Sequence, residues 1–425
     1  MRATSTVAFG YDALGRLDSV TTGDGVTREM TRTTQGWTSG IDALTSSRDT
    51  VFTQSLYYME NGNISKVRSR QGSSPALSFG VQYDNAGRMI EWKQPGTNAL
   101  AEKGITYDRN GNVLSVKRYD VDGQVSDDLT FVHNGNRLTR VDESQSRYSL
   151  SYDSDGRMTA DPRRGINGVT YNEIGQVQSV SGLEGGVEYL YLADGSKLAA
   201  ISGNSGLAYC GSMVCSISKV YGKGKLEFES TGFSAGRIVE NSGQAVPNYM
   251  INDYLSSVRV VTDQTGNVLE RNDYYGFGSR MDCGSEGDNR YRFSSKETQT
   301  VGAIGWLDFG ARMYDPYLCH WTSPDPLAEK YRSLSPYAYC AGDPVNYIDP
   351  TGMEFTEEAQ KYVDKLTRKI DEIQNKNSER IEKLETKISS GNLSNKTLNI
   401  AQNFSRDETY YKQQEKTDCQ LQKSL

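Results

Sequence analysis

The chain has 425 residues, 36% of them hydrophobic, and a formal net charge of −7 with no basic stripe, which argues against nonspecific nucleic-acid binding. No apolar run is long enough for a membrane-spanning helix, and the opening stretch MRATSTVAFGYDALGR lacks the apolar core of a signal peptide. With 42 Gly and 27 Tyr at so low a hydrophobic content, composition favours a secreted or cell-surface β protein over a cytosolic enzyme.

From Tyr11 onward a ten-residue phrase, Tyr-Asp-x-x-Gly-Arg/Asn-apolar-x-x-apolar, returns every twenty-odd residues. It reads cleanly from Tyr11 (YDALGRLDSV), Tyr83 (YDNAGRMIEW), Tyr107 (YDRNGNVLSV), Tyr152 (YDSDGRM) and Tyr171 (YNEIGQVQSV), with looser copies from Arg32, Tyr58, Val132 and Tyr191. Such a period means stacked supersecondary units that bury their apolar faces against one another. Each unit reads as a β-hairpin, because Tyr and the later apolar residues favour pleated backbone while Asp-x-x-Gly supplies the turn. Asn-Gly at Asn61, Asn110 and Asn134 and Asp-Gly at Asp122, Asp155 and Asp194 predict turns in which both central residues have positive φ. The apolar positions after the Gly sit three apart, as in Leu17 and Val20, which breaks strict alternation and predicts apolar weight on both faces of a strongly twisted sheet. Because the array begins at the first residues, the sequence reads as part of a longer protein; its copies suffice for a curved sheet but not for a closed shell.

Cys210 and Cys215 (CGSMVC) could bridge a local loop or hold metal, yet His133 and His320 are the only histidines and neither lies at ligand spacing from them. No metal or cofactor is expected.

From Tyr249 the loose repeats give way to dense text running to Gly352. Half of the ten prolines follow an Asp, at positions 162, 316, 326, 344 and 350, and Asp-Pro is a natural turn-initiating pair. Composition then changes abruptly. Residues up to Gly352 hold all ten Pro, all four Trp and 41 of the 42 Gly, whereas Glu354 to Leu425 carry thirteen basic and thirteen acidic residues and a single Gly at 391. Thr356 with Glu357 and Glu358 starts a helix whose stripe runs through Val363, Leu366, Ile370, Ile373, Ile381, Leu384 and Ile388. A second, poorer helix follows Ser394, so the tail is expected to be a short α-helical hairpin acting as a spacer rather than a dimerising coiled coil. It contains no His and no paired catalytic constellation, so no separate enzyme domain is evident in it.

The repeats together with Asp253 to Glu270, YYGFG from Tyr274, Lys296-Glu297, LDFGARMYDP from Leu307, WTSPDPLAEKY from Trp321 and Pro336 to Gly352 resemble YD-repeat (RHS) proteins that end in an RHS repeat-associated core, most closely the Bacteroidetes version. The resemblance covers about residues 1–352. It implies a mainly β fold, a curved hairpin array forming part of an RHS/YD shell (1–248), a core domain plugging one end (249–352) and a charged spacer tail (353–425). It implies a partner in the chain's own C-terminal segment or cargo and a secreted or surface location for the full-length protein. In many relatives the core cuts the chain just after itself, with two Asp-Pro elements a little over twenty residues apart and the cut after the Leu of the second, Asp-Pro-x-Gly-Leu. Here those are Asp325-Pro326 and Asp349-Pro350, 24 positions apart, with Met353-Glu354 as the bond to be cut. Two carboxyls close enough to share a proton can act as base and acid toward water, so the only enzymatic activity expected is that of an intramolecular aspartic autoprotease. Leu327 follows the first Asp-Pro where the family carries Gly-Trp further on, Met353 replaces Leu, Ser256 and Ser257 stand for Gly and Asn, and Cys319-His320 stands for Gly-Arg. Lys296 and Arg312 are candidate charge partners. The alternative class is an adhesion scaffold binding cell-surface glycans on a Tyr-rich sheet; a third possibility is an orphan cassette without activity.

Overall fold

The computed structural model describes residues 6–182, 186–220, 223–283, 287–331 and 334–354. The expected helical hairpin falls outside them. The fold is mainly β, 52% strand and 5% helix.

Each letter of the repeated phrase has a structural task. In the hairpin of strands Val7–Tyr11 and Leu17–Thr22, Asp12 N–H donates to the Arg16 carbonyl and Gly15 N–H to the Asp12 carbonyl, both at 2.9 Å. The Asp12 carboxylate accepts from Leu14 N–H at 2.9 Å and Arg16 N–H at 3.0 Å, and Arg16 Nε reaches back to its other oxygen at 2.7 Å. Asp84 with Ala86 and Arg88, Asp108 with Asn110 and Asn112, and Asp153 with Asp155 and Arg157 repeat the arrangement. The Tyr that opens a phrase donates its hydroxyl to a carbonyl of the preceding unit: Tyr83 to Ile64, Tyr107 to Met89, Tyr171 to Met158 and Tyr191 to Val177. One repeat is thereby bonded to the next.

Two expectations are corrected. The turns place only the Gly in the left-handed region, at φ +72 for Gly15 and +85 for Gly111, while Asn61, Asn110, Asn134, Asp122, Asp155 and Asp194 keep negative φ. At Asn110, Asp122 and Asp155 the carboxylate of the Asp two residues earlier satisfies the turn amides, so a second positive φ is not required. Apolar residues three apart also share one face rather than two. Tyr11 pairs with Leu17 but Gly10 pairs with Ser19, so Asp18 is an extra residue, and Tyr83/Met89, Tyr107/Val113 and Tyr171/Val177 show the same step. A β-bulge just after each turn thus brings Leu17 and Val20, Met89 and Trp92, and Val113 and Val116 to the buried side together.

The hairpins form a 13-stranded antiparallel sheet from Val7–Tyr11 to Ser146–Ser149 and an 11-stranded sheet from Gly168–Tyr171 to Val268–Arg271, each in strict sequence order. The second ladder runs unbroken through Tyr249 in strand Gln244–Asn252. The far ends of the two sheets touch by side chains: Ile251 and Val260 pack with Val26, Ile41, Ala43, Val51 and Phe52, and Thr262 Oγ1 donates to Asp24 at 2.6 Å. Among the described residues no strand pairing joins the sheets, so the wall they form is unclosed.

After Arg271 the chain turns into the space faced by both sheets. It forms short 3₁₀ turns and a four-stranded sheet of Glu297–Thr298, Leu307–Asp308, Met313–Asp315 and His320–Trp321. Phe277, Phe293, Trp306, Phe309, Tyr314, Trp321 and Tyr339 join the inner apolar faces of both walls in one core. Burying such rings is the main stabilising term.

Candidate functional site

The candidate cleavage site lies at the end of this segment and is organised by Arg312. That residue directly precedes Met313–Asp315, is 2% exposed in its side chain, and lies over the Trp321 ring at 4.1 Å. Its Nη2 donates to Asp325 at 2.9 Å and approaches Asp349 at 3.5 Å, while Nη1 donates to the Pro336 carbonyl at 3.0 Å. Asp325 N–H donates to the same carbonyl at 2.9 Å, and Leu327 N–H closes a turn onto Asp325 Oδ1 at 2.7 Å. The two Asp-Pro elements are therefore brought together, and they meet through one guanidinium nitrogen.

Asp349 is wrapped by the chain that follows it. Its Oδ1 accepts from Thr351 N–H at 3.0 Å, Gly352 N–H at 2.6 Å and Met353 N–H at 3.2 Å. Gly352 has φ +77, and a Cβ there would stand 3.1 Å from both Arg312 N and Phe309 Cβ, so the turn requires glycine. Burial pushes the Asp349 carboxyl above its ordinary range, with Arg312 and the three N–H groups acting in the opposite direction. Burial also raises Asp325, again opposed by Arg312. Beyond the candidate bond, the Glu354 carboxylate is held by Lys330. The Met353-Glu354 peptide is thus fixed at both ends, by Asp349 on one side and the Ala328–Tyr331 turn on the other.

Lys296 is not an ion-pair partner of either Asp: its Nζ donates to the Pro350 carbonyl. Several buried pairs that single letters do not reveal tie this segment to the walls. Arg118, fully buried, binds Glu102 at 2.7 Å and the carbonyls of Pro316 and Tyr317. Lys197 binds Glu297 at 2.7 Å and Asp308 at 2.8 Å. Asp315 takes Arg163 and both arms of Arg164, which outweigh burial and hold its carboxyl below the usual range. The only sequence signal for them is a charged residue at an inward-facing strand position, as Arg118 is in VLSVKRY. Cys210 and Cys215 are free thiols on neighbouring strands, and among the described residues no cluster of three or more His, Cys, Asp or Glu is placed to hold a metal. No helix among them is long and apolar enough to cross a membrane.

Known proteins share this architecture. The family described as Teneurin YD-shell matches residues 44–204. Salivary gland surface protein 1 of Aedes aegypti is 32% identical over 103 residues, which are 24% of this chain and 3% of that protein. The Tc holotoxin pore of Photorhabdus luminescens superposes with a TM-score of 0.69 at 18% identity, over 82% of this chain and 19% of that one. The TcdB2-TccC3-Cdc42 complex gives 0.58 at 17% identity, over 84% and 20%. The present sequence thus spans only about a fifth of the solved chains it resembles. Fold and repeat chemistry define an antiparallel shell of YD hairpins. Over residues 44–204 the chain carries YD/RHS repeats of the Teneurin YD-shell kind, on a fold like that of the Tc toxin shells.

Proposed function

We propose that this chain is the closing end of a YD/RHS shell carrying a variable C-terminal cargo, of the Bacteroidetes polymorphic-toxin type, secreted or displayed at the cell surface in its full form. Residues 1–248 act as wall, the core domain of 249–352 adds that wall's last strands up to Arg271 and then plugs it, and 353–425 is the spacer leading to the cargo. The observation that carries this reading is where the core segment sits. It lies along the turn rim of successive hairpins from both sheets: Asn346 accepts from Ile64 N–H, Ser335 donates to the Asn110 carbonyl, Tyr337 to the Gly156 carbonyl, and Gln176 donates to the Gly310 carbonyl. A segment seated on one rim closes that end. The likeness of fold to the Tc holotoxin pore and TcdB2-TccC3 structures supports a wall that surrounds cargo, and a closed shell would need more strands than the described sheets supply.

In this reading Asp325 and Asp349 form the dyad that cuts the chain after Met353. One carboxylate takes a proton from water as it attacks the Met353 carbonyl, and the protonated partner passes its proton to the Glu354 nitrogen. Raised carboxyls joined through one arginine suit the two roles. Intact-mass measurement of purified protein should show a product ending at Met353, and Asp349→Asn should abolish it. A wild-type chain that stays whole under folding conditions sinks self-cleavage while leaving the plug intact.

A surface scaffold is the second reading, favoured by the match to a salivary gland surface protein and by exposed Ile174, Leu190, Leu192 and Leu198 on the second sheet. Glycan-array binding by a chain lacking 354–425 would support it, and a blank array would remove it.

A further inference from the structure

Three successive carbonyls lead up to the candidate cleavage bond, and each is held by a different donor. Lys296 Nζ holds that of Pro350, Ala311 N–H that of Thr351 at 3.1 Å, and Arg312 Nε that of Gly352. Ala311 contributes backbone, and Arg312 is committed to two carboxylates. Lys296 differs from both. It is part-buried beside the Phe309 ring, 5.0 Å from Nζ to centroid, and no carboxylate lies within ion-pair distance of it among the described residues. An ammonium partly withdrawn from water without a counter-ion carries a cost, so such a lysine in a well-packed segment calls for an account.

We propose that Lys296 is a positioning residue for self-cleavage: by clamping the Pro350 carbonyl it holds the Pro350–Met353 turn around Asp349 and couples the charge state of that carboxyl to its own. The inference rests on the self-cleavage reading above. The clamp acts through chain geometry, because the amide groups of residues 351–353 reach Asp349 Oδ1 only while the turn is folded over it. The coupling acts through charge. The groups that face Lys296 are Asp349 and Asp308, the latter already engaged by Lys197. Burial lowers the lysine's affinity for its proton, and the two carboxylates only partly restore it. While Lys296 is an ammonium it favours an ionised Asp349; once it is a neutral amine that support is gone. Arg312, held as a cation by its chemistry, cannot vary in this way near neutral pH.

The test follows the conversion of the purified full-length chain to the product ending at Met353, by intact mass, across about pH 5 to pH 9. Lys296→Met, Lys296→Arg and Asp349→Asn are run beside the wild type, with melting temperature recorded for each. Lys296→Met should slow conversion by about tenfold or more and shift the pH–rate profile, the scale expected when a reacting group loses its alignment. Lys296→Arg should recover rate, since it keeps both the charge and a donor for the Pro350 carbonyl. If Lys296→Met cuts at the wild-type rate with the wild-type profile while Asp349→Asn does not cut, the positioning role fails and self-cleavage stands. A loss of rate that tracks a fallen melting temperature, with an unchanged profile, makes Lys296 a packing residue and overturns the proposal. If the wild type itself never cuts, both readings fall together.

Discussion

The wall and the core segment use the same chain in opposite ways. In the wall, bonds are local and repeated: Asp84 binds amides two and four residues on, and Tyr83 reaches the neighbouring hairpin. In the core segment, bonds are long-range and each occurs once, as when Arg118 meets Pro316 and Tyr317 or Arg164 meets Asp315. Most wall strands mix buried with exposed or half-buried positions, Val258–Thr262 being buried throughout, whereas both Met313–Asp315 and His320–Trp321 are buried at every position. A repeat array spreads its stability over many equivalent small contributions, so the loss of one is tolerated. A segment seated once, on rings and buried charges, concentrates it.

That contrast can be broken most forcefully at Arg118. Removing it alone, as Arg118→Met, leaves Glu102 buried and uncompensated and should cost about 3–5 kcal/mol in urea unfolding. The double variant with Glu102→Met should recover much of this; recovery of nothing would mean that the bonds to the Pro316 and Tyr317 carbonyls, rather than the ion pair, seat the segment.

Acid is the next lever. His320 is buried against Tyr337, with ring centroids 5.0 Å apart, and faces His133 at 6.5 Å; neither of its ring nitrogens has a hydrogen-bond partner. Burial, and then His133, push its pKa down to about 3, with Asp315 pulling up and Arg312 pushing further down. A base whose folded pKa is depressed below its unfolded value of 6.5 costs nothing above pH 6.5, and stability is lost as pH falls from there toward 3. At pH 5 the loss should be about 2 kcal/mol relative to pH 7. His320→Phe should flatten that slope, and equal slopes in the two proteins would show that His320 does not report on seating.

Smaller effects belong to the wall. Asp84→Ala removes two amide bonds and the anchor of Arg88 from one turn and should cost about 1 kcal/mol, with the neighbouring hairpins unaffected by hydrogen exchange. Spread of exchange into the strands around Tyr107 would show that the repeats are more tightly coupled than their geometry implies. At the bottom of the scale, Ser256 sits at the glycine place of an Asp253 turn with φ +61. Ser256→Gly should stabilise by roughly 0.5 kcal/mol, relief of left-handed strain being partly offset by unfolded-state entropy.

The hairpins were legible in the sequence because their chemistry lies within ten residues: an Asp that caps, a Gly that turns and a Tyr that reaches back. The bulge was half legible. Apolar residues three apart showed that alternation fails, but only the register of Tyr11 with Leu17 and Gly10 with Ser19 shows that both point inward. Asp325 and Asp349 could be named among five Asp-Pro pairs only through the resemblance to the RHS core, yet nothing in that resemblance says that Arg312 stands between them or that Lys296 clamps a carbonyl instead of pairing with a carboxylate.

By itself, then, the amino-acid order determined the unit of the wall and its antiparallel succession, whereas the ladder's end at Arg271, past the change of text at Tyr249, shows only in the fold. The tertiary structure decided which charges are buried, which residues meet across the space between the sheets, and how the chain around Met353 is held. The physical reason is range. Turn and strand preferences are settled by neighbours in sequence, while burial and desolvation depend on what the folded chain brings alongside.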